Sequence, residues 1–215
     1  MEYKSQHHQD EFIVKYFGEK RNGTFVDIGA HDGESLSNTY VLEKELEWNG
    51  ICIEPMPHEY KKLVKCRNCI TYECAIYDKN GSEKFIMVES DGYPDMLSGV
   101  TKDITFKHMK GVLSESQRLN APIKIIDVKT RILNEILEEN EIFHIDVLSV
   151  DTEGAELKIL QSIDYDKFFI DLIIYENGEN TNKIRDFLKT VGFKFHKRLR
   201  IDDAFVNTKI NEKGN

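Results

Sequence analysis

Short runs rich in valine, isoleucine and phenylalanine recur along the chain, each followed by a turn and a stretch with helical spacing. No other feature restricts the fold as much. Thr24–Ile28 reads as a strand, followed by a glycine turn and helical spacing over Leu36–Trp48. Gly50–Glu54 is a second strand, after which Pro57 opens a helix running towards Cys66. Ile70–Ile76 reads as a third strand. The turn Asp78–Gly81 leads to another around Lys84–Val88, and Ile123–Val128 is also β-like. Thr130–Asn140 has Ile132, Leu133, Ile136 and Leu137 on one helical face. Val147–Asp151 is a strand leading into a helix over Ala155–Ile163, and Phe169–Tyr175 a strand before a helix over Asn182–Val191. Phe193–Leu199 and Asp203–Asn207 close the chain as two strands joined by a tight turn.

Alternating strands and helices predict a mainly parallel sheet covered on both faces. Right-handed crossovers then make it a doubly wound, Rossmann-like α/β domain. The last two strands have no helix between them, so an antiparallel hairpin is expected at one edge. One stretch breaks the rhythm: Glu89–Pro122 lacks convincing periodicity, and loops of that length are usually lids or binding segments. The whole chain, 1–215, is read as one domain with that stretch as a substrate-binding insertion.

The 29 Lys+Arg stand against 38 Asp+Glu, a net charge of −9, which argues against a general nucleic-acid binder. The N-terminus has no apolar stretch of the kind a secretory signal needs. The most apolar run, Phe168–Tyr175, contains Asp171 and falls far short of the ~20 residues of a membrane span. A soluble, cytoplasmic protein is expected, unless the chain was cut from a larger polypeptide. Four cysteines make no disulfide framework and suit a reducing compartment.

In such sheets ligands bind outside the carboxyl ends of the strands, where the strand order reverses. The first strand ends in Asp27-Ile-Gly-Ala-His-Asp-Gly33, with Gly29 and Gly33 placed to turn the backbone sharply. Alone, that spacing describes only a tight strand-to-helix turn. Glu54 ends the second strand 21 positions beyond Gly33, where a carboxylate can accept both hydroxyls of a ribose. Together these residues point to a nucleoside. A dinucleotide turn has a third glycine to admit the pyrophosphate. This one instead carries Asp27 and Asp32, which repel phosphates and suit a cationic, amine-bearing ligand. S-adenosylmethionine, with a sulfonium and an amine, fits better than NAD.

Ser5-Gln-x-x-Gln-Asp-Glu11, Phe25–Gly33, Ser37-Asn-Thr-Tyr40, Gly50–Pro55 and Val150-Asp-Thr-Glu-Gly-Ala-Glu156 together resemble the FkbM-type S-adenosylmethionine-dependent methyltransferases. The resemblance runs from about residue 5 to Asn207. It implies a class I methyltransferase fold with a seven-stranded sheet, and methylation of a hydroxyl, commonly on a sugar. It assigns methionine-moiety contacts to Asp27 and Gly29, the turn to Gly33 and the ribose to Glu54. Ala75 and Ile76 would border the adenine, and Gln9 would close over the cofactor. His31 stands where the family pattern more often has asparagine. Family members also occur fused to glycosyltransferases, so a domain of a larger glycosyltransferase-containing polypeptide fits the same pattern.

Methylating an alcohol requires in-line alignment with the sulfonium methyl and an acceptor for the hydroxyl proton. Asp151 at the end of the fourth strand and Glu153 just beyond it are the expected catalytic acids, with His108 a further candidate base in the irregular stretch. Asp151, Glu176 and Asn177 also resemble the magnesium site of catechol-type O-methyltransferases and would supply three oxygen ligands. The lysine base of that family should lie three residues after the aspartate, where this chain has Gly154. A magnesium site and a metal-free general base therefore both stay open. For Asp151 and Glu153 the structural alternative is helix N-capping, and for Glu156 that role is the expected one. Tyr93, Pro94, Ser98 and Gly99 suit a sugar-binding lid whose lysines would meet phosphates of a nucleotide-linked acceptor. Cys66-Arg-Asn-Cys69 lacks the second ligand pair of a zinc site and reads as structural. The expectation is transfer to a sugar hydroxyl of a glycan or glycoside. A small-molecule or lipid hydroxyl, a non-catalytic nucleotide-binding module and an NAD oxidoreductase are the alternatives.

Overall fold

The computed structural model describes residues 1–89 and 95–212. In chain order its elements are α1 (Gln9–Tyr16), β1 (Thr24–Ile28), α2 (Tyr40–Leu46), β2 (Asn49–Ile53), α3 (Pro57–Cys66) and β3 (Ile70–Tyr72). The middle third holds β4 (Ala75–Ile76), β5 (Gly81–Val88), β6 (Gly99–Val100), α4 (Phe106–Leu119), β7 (Ile123–Arg131) and α5 (Leu133–Glu139). The rest is β8 (His144–Val150), α6 (Glu156–Gln161), β9 (Phe169–Glu176), α7 (Lys183–Thr190), β10 (Phe193–Leu199) and β11 (Asp202–Asn207).

The main sheet has the order β10-β11-β9-β8-β1-β2-β3. Strands β9, β8, β1, β2 and β3 run parallel, while β11 pairs antiparallel with both β9 and β10. This is the expected seven-stranded α/β sheet with a C-terminal antiparallel hairpin. Central strands are apolar on both faces because helices cover both. Phe25 and Val147 point to the layer of α1, α2 and α3, around Leu42, Leu63 and Trp48. Their neighbours Val26 and Leu148 point the other way, to α5, α6 and α7. Among the described residues no helix is long and apolar enough to cross a membrane.

A second sheet, of order β4-β7-β5-β6, lies against the same core and was not legible beforehand. It corrects three expectations. Ile70–Ile76 is not one strand: β3 ends at Tyr72, and Ala75–Ile76 pair with Thr130–Arg131 in the second sheet. Thr130 and Arg131 are therefore strand, and α5 begins only at Leu133. The stretch Glu89–Pro122 is not an unstructured loop. It contributes β6 and the 14-residue helix α4, capped by the Thr105 hydroxyl, which accepts the His108 N–H at 3.1 Å. Only Val112 of α4 is fully buried while Phe106, Leu113 and Leu119 are exposed, so the helix shows no readable apolar stripe. Tyr93 and Pro94, expected in a lid, lie outside the described residues. The helix expected over Leu36–Trp48 is also shorter, because Leu36 and Glu47 take left-handed backbone angles at either side of α2.

Candidate active site

From β1 the chain builds outward through β2 and β3, then returns to build β8 and β9 on the other side. A crevice opens where that order reverses. Here it is a cleft of about 1240 Å³, open solvent at its mouth included, over the carboxyl ends of β1, β2, β8 and β9. Gly29 lies at the reversal point with φ +87°, and a Cβ on it would sit 1.8 Å from the Asp151 carbonyl oxygen. Only glycine lets β1 and β8 approach this closely. The N–H groups of Gly29 and Ala30 donate to Ile53 O at 2.9 and 3.0 Å, and Asp151 N–H donates to Ile28 O at 3.0 Å. Three strand ends are thereby tied together under the cleft.

Two carboxylates stand on that floor. Asp27 is 4% exposed and accepts the Thr39 hydroxyl at 2.7 Å. Burial pushes its carboxyl up, against the pull of the Thr39 bond and the Arg67 charge. Glu54 accepts the His31 N–H on one oxygen and the Met56 N–H on the other, each at 2.8 Å. Burial pushes it up to about 7. Each Glu54 oxygen keeps acceptor capacity for a diol. Beside it Ile53, Met56, Ala75, Ile76 and Phe85 form an apolar wall of the size a purine needs. This donor set fits S-adenosylmethionine: an acid for an amine, a second for a ribose, an apolar wall for the base.

The remaining cofactor expectations divide. His31 lines the cleft with φ +49°, its ring 3.7 Å from Asp32 and 3.6 Å from Glu59. Gln9 lines it too: its side-chain amide donates to Asp202 and its carbonyl accepts His7 N–H at 2.7 Å. Gly33 is not on the cleft. It lies over Arg67 and Leu63, both of which a Cβ would meet at 2.8 Å.

At the other end of the cleft Asp151, Glu153 and Glu176 converge, with oxygens within 4.8 Å of one another. Asp151 opens onto cleft water but is otherwise crowded by protein. That crowding, then the charges of Glu176 and Asp202, holds its carboxyl well above the usual range. Glu153, at φ +59°, is raised by burial and by Glu176 and Asp151. Glu176 is pushed up to about 7 by burial, then by Glu156 and Asp202.

His108, on α4, is brought to this cluster although it is not on the cleft wall. Its Nδ1 lies 3.2 Å from Glu153 Oε2, and its Nε2 lies 2.8 Å from the Leu97 carbonyl oxygen. A carbonyl only accepts, so Nε2 donates to Leu97 and Nδ1 faces the Glu153 carboxyl.

Asn177 is not brought to the cluster. It is buried, donates to Thr181 O and to Asp203 Oδ2 at 2.7 Å, and accepts Thr181 N–H. The expected ligand set Asp151, Glu176, Asn177 is thus replaced in space by Asp151, Glu153, Glu176. Gly154, where the catechol-type lysine would stand, has φ +125°, and a Cβ there would lie 2.5 Å from Asp103 O. No side chain fits. Glu156 accepts the N–H groups of Thr152 and Gly154 at 3.0 Å and ties the loop to α6, the structural role expected of it. The cluster around Lys197–Arg200 is less solvated than expected, because Arg198 is bonded to fully buried Asp203.

The family model described as the methyltransferase FkbM domain matches residues 27–195. The chain belongs to the FkbM methyltransferase family. These are S-adenosylmethionine-dependent methyltransferases. The chain is similar to the 2-O-methyltransferase NoeI of Sinorhizobium fredii (strain NBRC 101917 / NGR234), at 27% identity over 89% of this chain and 82% of that protein. It also resembles two solved structures. The methyltransferase FkbM of Methylobacillus flagellatus KT is 14% identical, with TM-score 0.46 over 88% of this chain. The precorrin-6y C5,15-methyltransferase of Geobacter metallireducens GS-15 is 9% identical, with TM-score 0.47 over 92% of this chain and 85% of that one. The chain spans 44% of the solved FkbM protein's length.

Several cleft residues lie outside the matched 27–195: Gln6, Gln9, Ile201 and Asp202. Asp202 escaped the sequence reading, which began the last strand one residue later. The pair Asp202-Asp203 at a strand start was the available signal, since alternation sends one acid to each face. Arg67 also escaped. Its side chain is fully buried, bonds Glu43 at 2.6 Å, Gly33 O at 3.1 Å and Thr39 Oγ1 at 3.1 Å, and so backs the hydroxyl that serves Asp27.

Proposed function

We propose that the protein transfers the methyl group of S-adenosylmethionine to a hydroxyl of a sugar in a glycan or glycoside. The observation that carries this reading is the Glu153–His108 pair, a proton-accepting carboxylate on the cleft wall backed by an imidazole. Hydroxyl transfer needs such an acceptor. The printed activity of NoeI, 2-O-methylation, supports oxygen as the target.

The bound cofactor supplies an electrophilic methyl on a cationic sulfur. Asp27 would hold its amine and Glu54 its ribose hydroxyls, with Ala75 and Ile76 beside the base. Asp151 and Glu176 accept hydrogen bonds from acceptor hydroxyls and fix the reacting oxygen in line. Glu153 would take the hydroxyl proton as the carbon–oxygen bond forms and the methyl–sulfur bond breaks to leave S-adenosylhomocysteine, with His108 and the Leu97 carbonyl behind it. Met96, Ser98 and Val100 close the acceptor side. The 89–122 insertion is therefore the acceptor-binding part of the domain.

Labelled S-adenosylmethionine offered with a panel of free and glycosidically linked sugars tests this. Methyl transfer to a sugar oxygen is expected, and it should be lost in both Asp151→Ala and Glu153→Ala. Full turnover in both variants overturns the assignment. A second reading rests on the convergence of Asp151, Glu153 and Glu176, three hard oxygen ligands that suit Mg²⁺. Full activity in a chelator removes it.

A further inference from the structure

The cleft carries one sign of charge. Asp151, Glu153, Glu176 and Asp202 line its acceptor half, and Asp27 and Glu54 its cofactor half. Among the described lining residues there is no lysine or arginine.

Four basic side chains near the cleft are committed elsewhere, and Arg200, exposed beside the cleft residue Ile201, is not part of the lining. Arg185 and Arg198 both bond Asp203, which is fully buried. Lys158 bonds Tyr77 at 2.7 Å and also Asp103. Arg67 is held by Glu43 beneath the floor. Swinging Arg198 or Arg185 into the cleft would weaken the pairing of a buried carboxylate, an expensive move. Asp202 is itself 4% exposed and faces the cleft, held by the Gln9 amide rather than by a cation. The neighbouring acid, Asp203, takes both arginines. Alternation along β11 thus sorts the charges, with the cations on one face and the unneutralised acids on the other.

We infer that the cleft selects its acceptor by charge, taking an uncharged or amine-bearing sugar and rejecting one that bears a phosphate or carboxylate on the ring to be methylated. The inference rests on the sugar O-methyltransferase reading. Hydroxyl and ammonium groups donate to carboxylates. An anion meets no lysine or arginine on the lining and faces carboxyls already crowded against one another. None of the insertion's lysines, Lys102, Lys107 and Lys110, is part of the cleft lining. Lys102 pairs with Glu83, and Lys110 stacks on Phe106.

The test uses acceptors matched in skeleton: a methyl hexoside, its 2-amino form, its uronate and its 6-phosphate. Initial rates of labelled methyl transfer are read with Mg²⁺ and with a chelator. The uronate and phosphate should show kcat/KM at least about 100-fold below the neutral sugar, and the amino sugar should match or exceed it. In the double variant Glu176→Gln, Asp202→Asn the neutral-to-anionic ratio should fall at least about tenfold. Comparable rates for anionic and neutral sugars, or an unchanged ratio in the variant, overturn the inference. Thermal shift of the full chain loaded with S-adenosylhomocysteine gives a readout independent of turnover. The amino sugar should raise the melting temperature, and the uronate and phosphate should not. Equal shifts for all, or none for any, overturn the inference. Selective shifts without methyl transfer sustain it and instead overturn the proposed reaction.

Discussion

The two ends of the cleft are built on opposite principles. At the cofactor end every carboxylate is anchored by the fold itself: Asp27 by Thr39, Glu54 by the backbone N–H groups of His31 and Met56. At the acceptor end Asp151, Glu153 and Glu176 crowd one another, and their carboxyls are pushed up by burial and mutual repulsion. In the first arrangement hydrogen bonds from the fold offset part of the burial that lifts Asp27 and Glu54. The second is an electrostatic load the folded chain carries until a ligand brings donors or positive charge. Sequences that otherwise obey folding rules concentrate their violations at functional sites. On the proposed reading, the difference separates an end that recognises a constant ligand from one that performs chemistry on a variable one.

The harshest way to break this comparison is to attack the residue that joins the two ends. In Gly29→Ala the new Cβ would strike the Asp151 carbonyl oxygen, 1.8 Å away, in a backbone conformation that disfavours any side chain. A loss above ~4 kcal/mol is expected, the exceptional range for one substitution. Thermal or urea denaturation checks it, and a near-wild-type melting temperature would show that β1 and β8 do not approach so closely.

Crossed substitutions sharpen the comparison next. Glu153→Gln should lower kcat about 100- to 1000-fold and leave cofactor affinity within about twofold, as expected for loss of a general base. Glu54→Ala should do the reverse. It removes the ribose acceptor and strands two N–H donors, so cofactor Kd should rise at least about tenfold. Calorimetry alongside single-turnover rates separates the two. If both variants shift the same parameter, the division of labour is wrong. Arg67→Lys should have a smaller effect, about 1–2 kcal/mol, because a lysine cannot reach Glu43, Gly33 O and Thr39 together. Cofactor Kd should weaken more than acceptor KM, and recovery with Arg67→Gln would contradict a role for the charge.

The cofactor end was largely legible in the sequence because it is local. Asp27, Gly29 and Glu54 sit at the ends of strands whose apolar runs announce themselves, so topology fixes where they meet. The acceptor end depends on contacts distant in sequence. His108 reaches Glu153 only because α4 packs on a second sheet, and that sheet rests on β4, two residues long. Asn177 shows the same limit. Its position after β9 is right for a ligand, but Asp203 on β11, paired antiparallel to β9, captures its amide. Nothing in the local pattern reveals that pairing.

The smallest expected effect concerns pH and tests whether the cofactor end is as settled as its hydrogen bonds imply. Burial lifts Glu54 from an ordinary value of 4.5 to about 7. The ligand-free native state therefore holds a proton on Glu54 that the unfolded chain has released between those values. By linkage, Glu54's contribution makes the ligand-free protein less stable as pH rises from about 4.5 to about 7, and constant above that. Cofactor binding should run the other way. An ionised carboxylate accepts the ribose hydroxyls more strongly than a protonated one. Cofactor Kd should accordingly tighten by up to about tenfold between pH 6 and pH 8, following ionisation of a group near 7. Calorimetry across that range, repeated on Glu54→Ala, checks it. Tightening that persists in the variant would move the titrating group to the acceptor end, and the contrast between the two ends would have to be redrawn around Asp202 and Glu176.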